Sequence, residues 1–437
     1  MTTHHNTTPP SYLLLLPHTP WPLTRDSLTS TYSTPLTHAL KSLKHETRRS
    51  THGAVLDIAV PIPYLHANST APRRDLYPTI QTLASNLYRL VVLIAAKDGI
   101  NISDSEGLDI RVQLVAAPRM KSRTDSIPDA GTDVDLIGPV ITLSALARCE
   151  RKWEWVFAVE GDEGEAVLHK YLVAQDGHVR IKRVPGGSID VGELESEKVE
   201  TTGDAGDGEE DETTASATQD HYSVAVGGTF DHLHIGHKLL LTMFAFILAP
   251  SSSSDADPIQ RTLTIGITGD ELLKNKSHAS LLESWHARQK ATWSFLQSIM
   301  EFRPAFTSPS SVTITELNEP GPNGHSVHIR LSPSLSLNFV EISDPFGPTI
   351  TEESISALVV SGETRKGGAA VNERRAVKEW KELEVFEVDV LSTDEEVGDQ
   401  VDDDFKNKLS STAIRRGLAE KAEERRVGNE RGGEGRE

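Results

Sequence analysis

Short apolar runs alternate with helix-period stretches in two parts of the chain. Between them lies a segment that has neither pattern. In the first part, "GAVLDIAVPI" and "LDIRVQLVAA" predict strands, and "DLYPTIQTLASNLYRLVVLIAA" contains a helical repeat. "EAVLHKYLVAQDGHVRIKRV" carries apolar runs on both sides of Asp176-Gly177, which predicts a hairpin. In the second part, "YSVAV" (222–226), "TLTIGIT" (262–268), "NFVEISD" (338–344), "ALVVS" (357–361) and "VFEVDV" (385–390) predict strands. "ESWHARQKATWSFLQSIM" (283–300) has helical periodicity, and "LLLTMFAFIL" (239–248) reads as a buried helix. "APSSSSDADP" (249–258) and "FTSPSSVTITELNEPGPNGH" (306–325) read as surface insertions. Strands alternating with helices predict an α/β fold, a parallel sheet with helices on both faces. Ligands of such sheets sit beyond the carboxyl ends of the strands.

The segment from 189 to 220 holds 12 acidic residues, one lysine and no aromatic. Its low hydrophobicity and like-charge repulsion predict a disordered linker, with an acidic interaction segment as the alternative. The chain therefore divides into a disordered start (1–9), a separate N-terminal α/β domain (10–185), an acidic linker (186–220), a second α/β domain (221–420) and a charged tail (421–437). The net charge of −20 argues against a nucleic-acid surface, because such a surface must neutralise phosphates. With one cysteine, Cys149, the chain cannot close an internal disulfide or build a cysteine-rich zinc module. No apolar run reaches the ~18–20 residues needed to span a membrane. "SYLLLLP" is too short for a signal segment. The expected location is cytoplasmic, with the nucleus also open.

The chemistry concentrates in "VGGTFDHLHIGH", which follows the 222–226 strand directly. Gly227 and Gly228 are expected to let the backbone turn and approach a ligand, and Thr229 offers a hydroxyl and an N–H. A helix is expected to start at 233–235. His234 and His237, three residues apart, then share its first-turn face, where free N–H groups and the positive dipole end favour an anion. His232 lies off that face. A zinc site needs a third ligand at sensible spacing, and histidines can also simply cap a turn. Phosphate binding is the reading that fits strand, turn and helix together.

"GGTFDHLHIGH" resembles the G-x-F-D-x-x-H-x-G-H signature of the nucleotidyltransferase superfamily. Four further blocks follow: "GITGDELLKNK" (266–276), "SDPFGPT" (343–349), "VVSGETRKGGAAVNERR" (359–375) and "LSSTAIRRGL" (409–418). Their order resembles that of eukaryotic phosphopantetheine adenylyltransferases over residues 222–418. The N-terminal half resembles the leader region of fungal members. The resemblance implies a Rossmann-like nucleotidyltransferase domain that joins ATP to 4′-phosphopantetheine, giving dephospho-coenzyme A and pyrophosphate. Magnesium would come with the nucleotide, and the protein would have no dedicated metal site.

The same resemblance implies roles. His234 and His237 bind ATP phosphates, with His237 stabilising charge on the α-phosphate. Gly227, Gly228, Thr229 and Phe230 bring backbone to the reacting phosphates. Lys274 or Lys276 holds the phosphopantetheine phosphate, and Thr229 faces it. Gly367 and Gly368 let backbone approach a ligand, with Gly367 at the ATP phosphates; many relatives carry arginine before them, and here Lys366 stands there with Arg365 beside it, so either could bind phosphopantetheine. Ser410, Ser411 and Thr412 hold ATP phosphates at a helix start, and Arg415 lies one turn on. The paired-glycine block is not a Walker A loop, since Gly368 stands where lysine is required. A separate dephospho-coenzyme A kinase, or another coenzyme A enzyme, is therefore expected as a partner.

Three other readings compete. "HIGH" with "KLSST" (408–412) echoes class I aminoacyl-tRNA synthetases, but the second lysine of their loop is missing. A lipid-head-group cytidylyltransferase shares the first motif but usually carries a longer R-T-x-G-I-S-T segment. A non-catalytic scaffold for coenzyme A enzymes is the third.

Overall fold

The computed structural model describes residues 8–47, 53–119, 136–149, 151–175, 177–188, 220–251, 259–303, 312–389, 391, 405–406 and 409–433. Residues 1–7 of the expected disordered start, 189–219 of the acidic linker, 252–258 of the 249–258 insertion and 434–437 of the tail lie outside them.

The N-terminal half runs β1 (Ser11–Leu15), α1 (Arg25–Thr47), β2 (Ala54–Ile62), α2 (Pro63–Ala67), α3 (Arg73–Asp98), β3 (Leu108–Ala116), β4 (Val140–Thr142), α4 (Leu143–Arg148), β5 (Trp153–Val159), α5 (Asp162–Ala174) and β6 (Ile181–Val184). Its six strands form one sheet in the order β4-β3-β2-β1-β5-β6. Every pairing in it is parallel. β2 is buried at all its positions, as a central strand covered on both faces must be. The expected hairpin around Asp176-Gly177 is not formed. "EAVLHKYLVA" lies in α5, and β6 joins β5 in parallel. Val167, Leu168 and Tyr171 are buried at helical spacing, and Asp162, Glu163 and Glu165 sit in the first turn, where the helix dipole favours acids. Asp176 itself is outside the described residues.

The C-terminal half runs β7 (Ser223–Gly228), α6 (Ile235–Ile247), β8 (Arg261–Thr268), α7 (Trp285–Met300), β9 (Thr313–Asn318), β10 (His325–Ser332), β11 (Leu335–Ile342), β12 (Ala357–Ser361), α8 (Arg365–Val377), β13 (Glu384–Val388) and α9 (Ser411–Gly433). The second sheet has the order β13-β12-β7-β8-β11-β10-β9. β13, β12, β7, β8 and β11 pair in parallel, whereas β10 and β9 run antiparallel. The sheet is therefore mixed rather than wholly parallel. The 306–325 stretch is more than an insertion: its Thr-Ile-Thr-Glu-Leu-Asn alternation forms β9. The Pro-Gly-Pro-Asn-Gly cluster after it makes the turn into β10, with Gly321 at φ 114° and Asn323 at φ 60°.

Each half has its own sheet, but one apolar cluster extends from Tyr12 to Phe405 through both. α3 packs on α6. Buried Lys238 of α6 ion-pairs with Asp109 of β3. Burial alone would raise the Asp109 pKa, but Lys238 and Arg111 outweigh it and hold this carboxylate below its usual range. The Arg151 guanidinium donates to the carbonyls of Ser298 (2.5 Å) and Glu301 (3.1 Å) at the end of α7. Against the expectation from its sequence, α3 is long and apolar enough to cross a membrane by length and composition. Its Leu76, Ile80, Leu83, Leu87 and Val91 are buried inside the protein.

Candidate active site

The ends of β7, β8, β11, β12 and β13 and the start of α9 enclose a cavity of about 810 Å³. That volume suits a small-molecule site. From β7 the chain passes to β8 on one side and later returns to β12 on the other. The cavity thus lies at the point where the strand order reverses, beyond the carboxyl ends of the strands.

β7 leads straight into the first turn. Gly227 and Gly228 are still extended strand, paired with Gly266 and Ile267 of β8. The sharp turn falls instead on Phe230 (φ 52°) and His232 (φ 46°), which corrects the expectation that the glycines make it. Left-handed backbone at such residues costs of order 1–3 kcal/mol and persists only where its surroundings fix it. Here the Phe230 ring is wholly buried, and the His232 N–H donates to Glu283 Oε2 (2.7 Å). The His232 ring bonds the Leu281 carbonyl (2.9 Å). The glycines serve approach. A Cβ on Gly227 would meet nothing within 4 Å among the described residues, so bare backbone faces the cavity. A Cβ on Gly228 would stand 3.0 Å from the Phe230 ring.

His234 is the residue before α6 and His237 lies in the helix's first turn. Their rings stack with centroids 3.9 Å apart at 22°, and both line the cavity. Among the described residues neither Nδ1 has a hydrogen-bond partner, although both are buried. Burial pushes the His237 pKa down to about 4, against a smaller upward pull from Asp231. Burial, then His237 and Lys238, push His234 well below the usual histidine range. Both rings are therefore neutral near pH 7, each with one N–H to donate and one lone pair.

Asp231, between them and the strand, is wholly buried. Its Oδ1 accepts from the Glu283 N–H (3.0 Å) and its Oδ2 ion-pairs with Arg415 of α9. Arg415 also donates to the Ser277 carbonyl (3.1 Å) and Thr412 Oγ1 (3.2 Å). The Ser411 hydroxyl donates to the Asp231 carbonyl (2.8 Å). Ser410 Oγ accepts from the Ala413 N–H (3.3 Å), an ordinary N-cap. Ser410, Ser411, Thr412 and Arg415 all reach the cavity wall. Arg415 reaches it already committed to a carboxylate, so its role is first to seat the helix start on the turn.

The structure brings Gly227, Gly228, Thr229, Phe230, His234, His237, Lys276, Gly367, Ser410, Ser411, Thr412 and Arg415 to one cavity. Lys274 is not in its wall; it is exposed and paired with Glu271 (2.5 Å). Arg365 is likewise exposed and paired with Glu387. Lys366 is exposed at the start of α8.

Sequence reasoning missed Arg288. This guanidinium is fully buried in α7. It donates to the carbonyls of Thr229 (2.7 Å), Thr268 (2.8 Å) and Glu283 (3.0 Å) and to Asp270 Oδ1 (2.6 Å). It thereby ties the ends of β7 and β8 together. Asp344, also in the cavity wall, accepts from the Phe346 (2.7 Å) and Gly347 (2.8 Å) N–H groups and shapes the turn after β11. Asp231 is neutralised by Arg415, and Asp344 spends Oδ1 on backbone.

Residues 1–189 match a family described as a domain of unknown function (DUF8446). An uncharacterised protein of Schizosaccharomyces pombe is 35% identical over 198 residues, 45% of this chain and 48% of that protein. A phosphopantetheine adenylyltransferase of Saccharomyces cerevisiae is 34% identical over 214 residues, 49% of this chain and 54% of that protein. One from Pyrobaculum aerophilum is 30% identical over 197 residues, 45% of this chain and 91% of that protein. The chain spans about half the length of the two yeast relatives it matches.

Proposed function

The chain belongs to the phosphopantetheine adenylyltransferase family, and from that premise we propose that it transfers the adenylyl group of ATP to 4′-phosphopantetheine. A phosphate oxygen of the acceptor attacks the α-phosphorus in line. The bond from that phosphorus to the bridging oxygen breaks, and pyrophosphate leaves. No protein nucleophile takes part, so the protein contributes position and charge stabilisation.

The observation that carries this reading is the stacked, neutral pair His234–His237 at the strand-order reversal. Two desolvated imidazoles with uncommitted nitrogens suit a transition state in which negative charge builds on phosphate oxygens. In this reading the bare backbone at Gly227, the Thr229 hydroxyl and the start of α9 cradle the nucleotide phosphates. Lys276, in the wall of the same cavity, would hold the acceptor phosphate. Magnesium, held by the nucleotide's phosphates and water, would neutralise the departing pyrophosphate.

A substrate panel tests this. With magnesium, the protein should convert ATP with 4′-phosphopantetheine far faster than CTP with a phosphorylated alcohol. Preference for CTP would assign a cytidylyltransferase, and ATP binding without turnover would leave a scaffold.

A further inference from the structure

Outside the cavity, the start of α7 meets the β9–β10 hairpin. We propose that His286, His325 and Glu316 form a binding site there for a divalent cation of the zinc class. The candidate ligand atoms of all three lie within 4.8 Å of one another. Glu316 Oε1 is 3.1 Å from His286 Nε2 and 3.1 Å from His325 Nε2. Tetrahedral zinc with bonds of about 2.0–2.1 Å spaces its ligands roughly 3.3 Å apart, so the trio is near that spacing already. Two histidines and one carboxylate are a zinc donor set that leaves a fourth position for water.

The second observation is behind His325. Its Nδ1 bonds Glu341 Oε2 at 2.5 Å, which leaves Nε2 for the ion. Metal-binding histidines are held in this way, the second nitrogen on a carboxylate. The His325 ring also packs on Trp285, centroids 4.4 Å apart. His286 and Glu316 are each 54% exposed, so an ion can enter. His286 and His325 lie 39 residues apart, so no local spacing marks them. A cation here joins the exposed edge strand β9 to α7, two residues before Arg288, which holds the Thr229 carbonyl.

The test uses the full chain stripped with a chelator. Zinc uptake is measured by equilibrium dialysis and metal analysis for wild type, for His286→Ala/His325→Ala and for Glu316→Gln. Wild type should bind one equivalent more than either variant. Cobalt(II) should give intense tetrahedral visible bands in wild type only. Glu341→Gln should weaken zinc binding about 10–100-fold. Equal uptake by wild type and both variants, or a cobalt spectrum that the substitutions leave unchanged, would overturn the proposal and leave an ordinary surface ion-pair cluster.

Discussion

Arg415 of α9 ion-pairs with Asp231 in the first turn of the nucleotidyltransferase-type site, 184 residues earlier in the chain. Both side chains are almost fully buried. One pair therefore fixes the helix start to the turn that carries the histidines.

Removing one partner of such a pair leaves an uncompensated buried charge, which typically costs about 3–5 kcal/mol. Arg415→Ala should lower stability by that order in urea unfolding. Asp231→Asn combined with Arg415→Gln should recover part of the loss. Activity should fall in the single variants even under conditions where they stay folded, because α9 no longer sits on the turn.

The histidine pair makes stability depend on pH. His237 has a pKa of about 4 in the fold, below the ordinary value of 6.5, and His234 is displaced in the same direction. Between about 6.5 and 4 the unfolded chain binds more protons at these groups than the native state does. Stability is thus fully present above 6.5 and is lost as pH falls toward 4. Unfolding free energies measured across that window should fall less steeply for His234→Gln/His237→Gln than for wild type. Parallel slopes would contradict the neutral pair.

The legible parts of the fold were those written in local pattern. The runs at 54–62, 108–116, 261–268 and 357–361 are strands because their apolar side chains are buried in sheets covered on both faces. The first turn was legible because its residues are consecutive. α5 was misread because the Asp176-Gly177 turn signal outweighed the buried spacing of Val167, Leu168 and Tyr171. β9 was misread because all its residues are exposed, so its alternation marks an edge rather than a core. Arg288 and Lys238 were not legible at all. A charged residue in a helix normally reads as a solvated face, and their partners Thr229 and Asp109 lie 59 and 129 residues away.

The two candidate lysines separate by placement. Lys276 is in the cavity wall and Lys274 is exposed on Glu271. Lys276→Ala should raise KM for 4′-phosphopantetheine at least tenfold with little change for ATP. Lys274→Ala should stay within about twofold of wild type, since exposed ion pairs contribute at most about 1 kcal/mol. Steady-state kinetics with each substrate varied in turn distinguishes them.

Arg288 makes four bonds in a fixed fork, and a lysine in its place cannot reproduce them. Arg288→Lys should fold with reduced stability and lose kcat more than KM, because Thr229 would no longer be held against the reacting phosphates. A lysine variant with wild-type kcat would separate Arg288 from the site.

The measurement closest to the central claim is the product analysis of one reaction. Purified protein with magnesium, ATP and 4′-phosphopantetheine should release pyrophosphate and form dephospho-coenzyme A in equal amounts. His237→Ala should be slower by about 10²–10³, the usual cost of removing one donor to a developing phosphate charge. Release of ADP, or no pyrophosphate from a folded preparation that binds both substrates, would contradict it.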